Sequence, residues 1–163
     1  MLFRSVNKAI IAVAVEEDGR KIGRVRLQTI PNLTRATLHG FIAASVEPGS
    51  TVRTDGFKSY LGLDGYIHQR HVQSEQSQDE HVLPRVHRVI GLLKRWLMGT
   101  HQGAVSAEHL DAYPNEFTFR FNRRTSASRG KLFYRLAQQA VHIEPVPFAN
   151  LAKPQPIVSG GVK

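Results

Sequence analysis

From Lys8 to Val15 the chain reads KAIIAVAV, an unbroken apolar run with many β-branched residues. Continuous apolarity of this kind predicts a strand buried on both faces. Glu16 to Gly19 supplies turn chemistry, and Gly23 to Ile30 then alternates apolar with basic residues, so the two runs read as a hairpin. Pro31 ends it. Thr34 is placed to cap a helix whose face carries Ala36, Leu38, Phe41, Ile42 and Val46, and Pro48-Gly49 stops that helix. Thr51 to Thr54 is a short strand delivering Asp55. Strand, strand, helix, strand predicts an α/β sheet with flanking helices.

The rest of the pattern is helical. Gly62 to Glu80 is polar and reads as a loop. Pro84 suits the first turn of a long helix that buries Val86, Val89, Ile90, Leu93 and Leu97. Gly99 is expected to end it, with Thr100 to Gly103 as a turn. Ser106 caps a further helix, expected from Ala107 to about Arg123 and bent at Pro114. EFTFRFN within it also alternates with the period of a strand, but no turn signal precedes it. Leu132 to Val141 reads as a last amphipathic helix. The Pro/Gly-rich residues 144–163 read as a tail with little prospect of order, which leaves 1–143 as the domain.

Charge adds a direction. The 163 residues carry 22 Lys+Arg against 13 Asp+Glu, a net charge of +9. Between Val82 and Gln139 stand ten Lys or Arg and three acids, so +7 of that +9 lies there. The candidate DNA contacts are Arg85, Arg88, Lys94, Arg95, Arg120, Arg123 and Arg124. Arginine suits bidentate phosphate contact, and a clustered basic surface is an electrostatic footprint for nucleic acid, although a merely solvated basic face has the same composition. The chain has no cysteine, which excludes disulfides and thiolate metal sites and fits a reducing cytosol. No apolar run approaches the roughly 18 residues of a membrane span. The apolar N-terminal run passes straight into Glu16-Glu17-Asp18-Gly19 without a cleavage signature.

Candidate chemistry centres on Asp55. A carboxylate at a strand end, backed by Gly56, is the type of ligand that holds Mg²⁺ or Mn²⁺ for attack on a phosphodiester. An aspartate opening a D-G turn would look the same. At about 100° per residue His87, Gly91, Lys94 and Met98 fall within roughly 40° of one another on the rim of the long helix. Gly91 would leave open space between the imidazole and the amine. A solvated helix rim is the competing reading. Histidine pairs such as His68 and His71 offer a zinc alternative. Motifs for nucleotide hydrolysis, acyl transfer and zinc proteolysis are absent from the sequence.

TDGFKSYLGL, HVLPRVHRVIGLLKRWLMGTHQGAVSAEHLD, NEFTFRFNRR and GKLFYRLAQQAV together resemble the ISXO-type branch of DDE insertion-sequence transposases, from about Lys8 to Val141. The resemblance implies a ribonuclease-H-like domain that cuts and joins DNA with two divalent metals on an acidic triad. It matches Asp55 to the second acid, His87 to the third position as a metal ligand or positioning group, and Lys94 to a phosphate contact. The first acid, carried in that family on a V-D-E strand before the one matching KAIIAVAV, has no counterpart in these residues. The first strand is therefore expected to be missing, and the chain to be a partial transposase inactive alone. The alternatives are a non-catalytic DNA-binding fragment or regulator, associating with itself or with full-length transposase, and a ribonuclease-H-like nuclease of another kind. The resemblance implies element ends and target DNA as partners and a cytoplasmic, nucleoid-associated location.

Overall fold

A computed structural model describes residues 9–71, 83–101, 110–128 and 130–145. The apolar run forms strand β1 (Ile10–Asp18), and the alternating run forms β2 (Lys21–Ile30), paired antiparallel from Ile10↔Ile30 to Asp18↔Lys21. Gly19 and Arg20 make the turn, with Gly19 at φ +53°, a conformation that favours glycine. The register slips between Val15 and Glu17, so that Glu16 faces both Gly23 and Arg24. Glu16 Oε2 accepts a hydrogen bond from Arg24 N at 2.8 Å. A Cβ on Gly23 would stand 2.7 Å from that oxygen, so a larger residue there would displace the Glu16 carboxylate from this contact. The extra residue also restores phase, keeping Ile22 on the same face as Val25 and Leu27.

Each face of the hairpin is covered by helix. Ile10, Ala12, Ala14 and Ile30 meet helix α1 (Arg35–Ser45) through Leu38, Phe41 and Ile42. Ile11, Val13, Val15, Val25 and Leu27 meet α2 (Pro84–His101) and α3 (Ala112–Asn122), whose Val89, Leu93 and Phe117 are buried. This two-sided burial accounts for the unbroken apolarity of β1.

Thr34 precedes α1 as expected, but its side chain makes no capping bond to the helix backbone. Instead Asn32 Oδ1 accepts from Thr34 N, Thr34 Oγ1 and Thr37 Oγ1, at 3.2, 2.8 and 2.7 Å. After the α1 turn, β3 (Thr51–Thr54) pairs in parallel with β4 (Ile67–Arg70). The polar loop expected over this stretch therefore contains a strand. IHQR gives little signal because β4 has no buried residue to impose alternation. The twelve-residue link, 55–66, meets the minimum for a parallel crossover and holds only a 3₁₀ turn, Lys58–Tyr60. Among the described residues the strands form two separate two-stranded sheets, where one mixed sheet was expected. Both sheets contribute to the core under α1, which takes in Val52, Tyr60, Leu63 and Tyr66.

Two helix boundaries also differ from expectation. Gly99 does not end α2, which continues to His101, where the ring of Trp96 meets that of His101 at 4.9 Å. Pro114 lies in the first turn of α3, where its missing N–H costs nothing, so it starts the helix instead of bending it. Helix α4 (Gly130–Val141) forms near its predicted span and buries no residue. The Ser106 cap, the 102–103 part of the turn and most of the tail lie outside the described residues.

Candidate functional site

Asp55 stands at the C-terminal end of β3, exposed to solvent. Its Oδ1 accepts from Phe57 N at 3.1 Å, which fixes the carboxylate over the turn that follows. Tyr60 lies beside it, and its hydroxyl is held above the usual tyrosine range, first by burial and then by the Asp55 charge. Beneath, Thr54 is buried, with Oγ1 2.8 Å from His68 Nε2 across the β3–β4 pair. His68 is thus engaged by a hydroxyl of the strand that delivers Asp55.

On α2, His87, Gly91, Lys94 and Met98 are all exposed, as the rim reading requires. A Cβ on Gly91 would meet nothing within 4 Å. Glu17 links the two regions. One of its oxygens lies 3.0 Å from Arg53 Nη1 on β3 and the other 2.8 Å from Arg85 Nη1 in the first turn of α2. Arg53 is two residues before Asp55, and Arg85 two before His87. One carboxylate therefore ties the strand that ends at Asp55 to the turn that carries His87. Both pairs are partly exposed, so each contributes stability of no more than about 1 kcal/mol.

The candidate cations divide by what they touch. Arg88, Lys94 and Arg95 are exposed on α2 and have no ion-pair partner among the described residues. Arg120 pairs with Glu116 at 2.8 Å along α3. Arg123 lies over the Phe119 ring, 3.8 Å from its centroid. Arg85 also donates to Gly19 O in the hairpin turn. Arg124 donates to Phe121 O at 2.9 Å, to Gly23 O at 3.3 Å and to Ile22 O, with its guanidinium over the Phe121 ring.

Beside Arg124, Asn122 Oδ1 accepts from Val25 N at 2.7 Å and Asn122 Nδ2 donates to Val25 O at 3.0 Å. Asn122 and Arg124 thus seal the outer edge of β2, satisfying main-chain groups that would otherwise face solvent or another strand. Sequence reasoning missed Asn122, Glu17 and Tyr60. The lone amide in a basic-aromatic run was the available signal for the first. Nothing in the local pattern marked the other two.

Divalent-metal chemistry places a definite demand on this region. Among the described residues no three His, Asp, Glu or Cys side chains stand close enough to share one ion. The groups present do not make a complete metal site; Asp55 offers one hard oxygen ligand. No helix among the described residues is long and apolar enough to cross a membrane.

The molecule so far is a mixed α/β domain with an exposed strand-end carboxylate and a cation-bearing helix. The family described as ISXO2-like transposase domain matches residues 3–122, most of the chain, and the chain belongs to that family. No curated protein and no solved structure matches it.

Proposed function

We propose that the chain is an ISXO-type catalytic domain that binds DNA and whose described residues do not by themselves complete a cleavage site. One combination carries this reading. Arg88, Lys94 and Arg95 on α2 have no ion-pair partner among the described residues, and Glu17 ties that helix to the Asp55 strand. Phosphates drawn to α2 would lie near the carboxylate offered at the end of β3. In this reading Lys94 contacts phosphate, while Asp55 and His87 are the groups toward which a Mg²⁺ or Mn²⁺ ion and the scissile phosphodiester would be directed. The remaining ligands must come from outside the described residues.

A ribonuclease-H-like architecture is the finer fold reading. An antiparallel hairpin, a parallel pair and helices on both faces of the hairpin support it. So does the break between the two sheets, which share the α1 core yet are not hydrogen-bonded to each other. A further strand bearing the first acid would belong in that break. If another transposase chain supplies it, the protein is a regulator or a complementing partner. Residues 1–143 would be the domain, working at the nucleoid in the cytoplasm.

The test is binding of duplex DNA by fluorescence anisotropy alongside a nicking assay in Mg²⁺ or Mn²⁺. The expected result is salt-sensitive binding without nicking. Metal-dependent nicking by the chain alone, abolished in Asp55→Ala, would replace this reading with a self-sufficient nuclease or transposase. No binding at low salt would remove DNA as the partner.

A further inference from the structure

We infer that the elbow between α3 and α4 is a second grip on the phosphodiester backbone of duplex DNA, with Arg135 at its centre. The inference rests on DNA being the partner, but it concerns residues beyond 122, where the family match ends. From Phe117 to Ile143 the sequence has no acid and carries Arg120, Arg123, Arg124, Arg129, Lys131 and Arg135. Helical geometry sorts the polar members of the last element. At about 100° per residue Lys131, Arg135, Gln138, Gln139 and His142 share an arc of roughly 100°.

The structure turns that arc toward the end of α3. A cleft of about 520 Å³ is lined by Arg123, Arg135, Gln138, Gln139 and His142. A second hollow of about 240 Å³, which includes Ser126, Ser128 and Lys131 in its lining, shares Arg135. Both walls offer donors and neither contains a carboxylate. Arg123 is held by its ring contact and by donation to Phe119 O at 3.4 Å, so one cation of the cleft is oriented in advance. Lys131 and Arg135 have no ion-pair partner among the described residues. Two adjoining hollows around a shared guanidinium suit consecutive phosphates of a strand, because the planar fork can bridge them.

The experiment compares the salt dependence of duplex-DNA affinity for the whole chain and three variants. Lys131→Gln/Arg135→Gln should lower the steepness of log K against log salt by about 1 to 2, roughly 0.9 for each phosphate that is no longer neutralised. Lys131→Gln/Arg135→Lys should recover about half of that decrease. Lys21→Gln at the start of β2, an equal charge change per site, should leave the slope within about 0.3 of the parent value. These residues are exposed, so circular dichroism should confirm that the helices persist. An unchanged slope in the double glutamine variant, with parent affinity retained, would overturn the elbow grip and leave DNA binding standing. An equal decrease in Lys21→Gln would also overturn it, by assigning the effect to net charge. Absence of DNA binding by the parent would overturn both.

Discussion

The β1–β2 hairpin and the β3–β4 pair are two-stranded sheets of the same molecule with unequal support. The hairpin has helices on both faces, and its outer edge is closed by Asn122 and Arg124. The β3–β4 pair has four residues per strand, of which Thr54 alone is buried, and α1 supports it from one side. The candidate carboxylate sits on the second sheet. Support and exposure are thus unequal: the hairpin anchors the domain and carries α2, with His87 and Lys94 on its exposed rim, whereas the short parallel pair exposes Asp55. Elements that bind or react are commonly drawn from the less stable parts of a fold, because access and burial exclude one another.

The sharpest way to break this contrast is paired truncation. Leu93→Ala removes a buried side chain from the helix pressed on the hairpin and should cost about 2–5 kcal/mol. Ile67→Ala in β4 removes one that is 59% exposed and should stay within about 0.5 kcal/mol of the parent. Urea unfolding of both variants measures the difference; equal costs would mean that the two sheets share stability evenly. A smaller effect is expected along the sealed edge. Val25 is fully buried; its N–H donates to Asn122, and its carbonyl accepts from Asn122 and, at 3.3 Å, from Arg26 Nη1. Asn122→Ala should destabilise by about 1–3 kcal/mol and speed hydrogen exchange at the Val25 amide. Unaltered exchange there would show that the edge is held by Arg124 alone.

What the sequence disclosed follows the same division. KAIIAVAV was legible because two-sided burial leaves an unbroken apolar signature, and the α1 and α2 stripes because each helix buries one face. β4 was invisible because exposure removes the alternation that marks a strand. Asp55 was legible as a strand-end acid, and the His87–Lys94 rib as one exposed face of a helix. The function of Arg124 was not, because a guanidinium that clamps carbonyls reads the same in sequence as one awaiting phosphate. The decisive fact is the position of the β2 edge, 101 and 102 residues away in the chain. The Glu17 tie was hidden for the same reason: it joins two arginines that are 36 and 68 residues from it.

The smallest effect is the most local test of the less stable sheet. Burial and the Asp55 charge both raise the Tyr60 pKa, in that order, so folding favours the neutral phenol. The stability this contributes is fully present below about pH 10, the ordinary tyrosine value, and is lost as pH rises through the raised one. Asp55→Asn keeps an oxygen for the Phe57 N–H and removes the charge. Tyr60 should then ionise at lower pH than in the parent but still above the ordinary value, because burial is the larger cause. Phenolate absorbance, read as the difference from Tyr60→Phe, follows this one group among four tyrosines. If Asp55→Asn leaves the titration in place, the carboxylate does not act on Tyr60, and the turn after β3 holds it elsewhere. If the whole shift disappears, Tyr60 is solvated and the parallel pair is looser still. A partial shift retains both features the site depends on, a fixed surface carboxylate and a half-buried ring beside it.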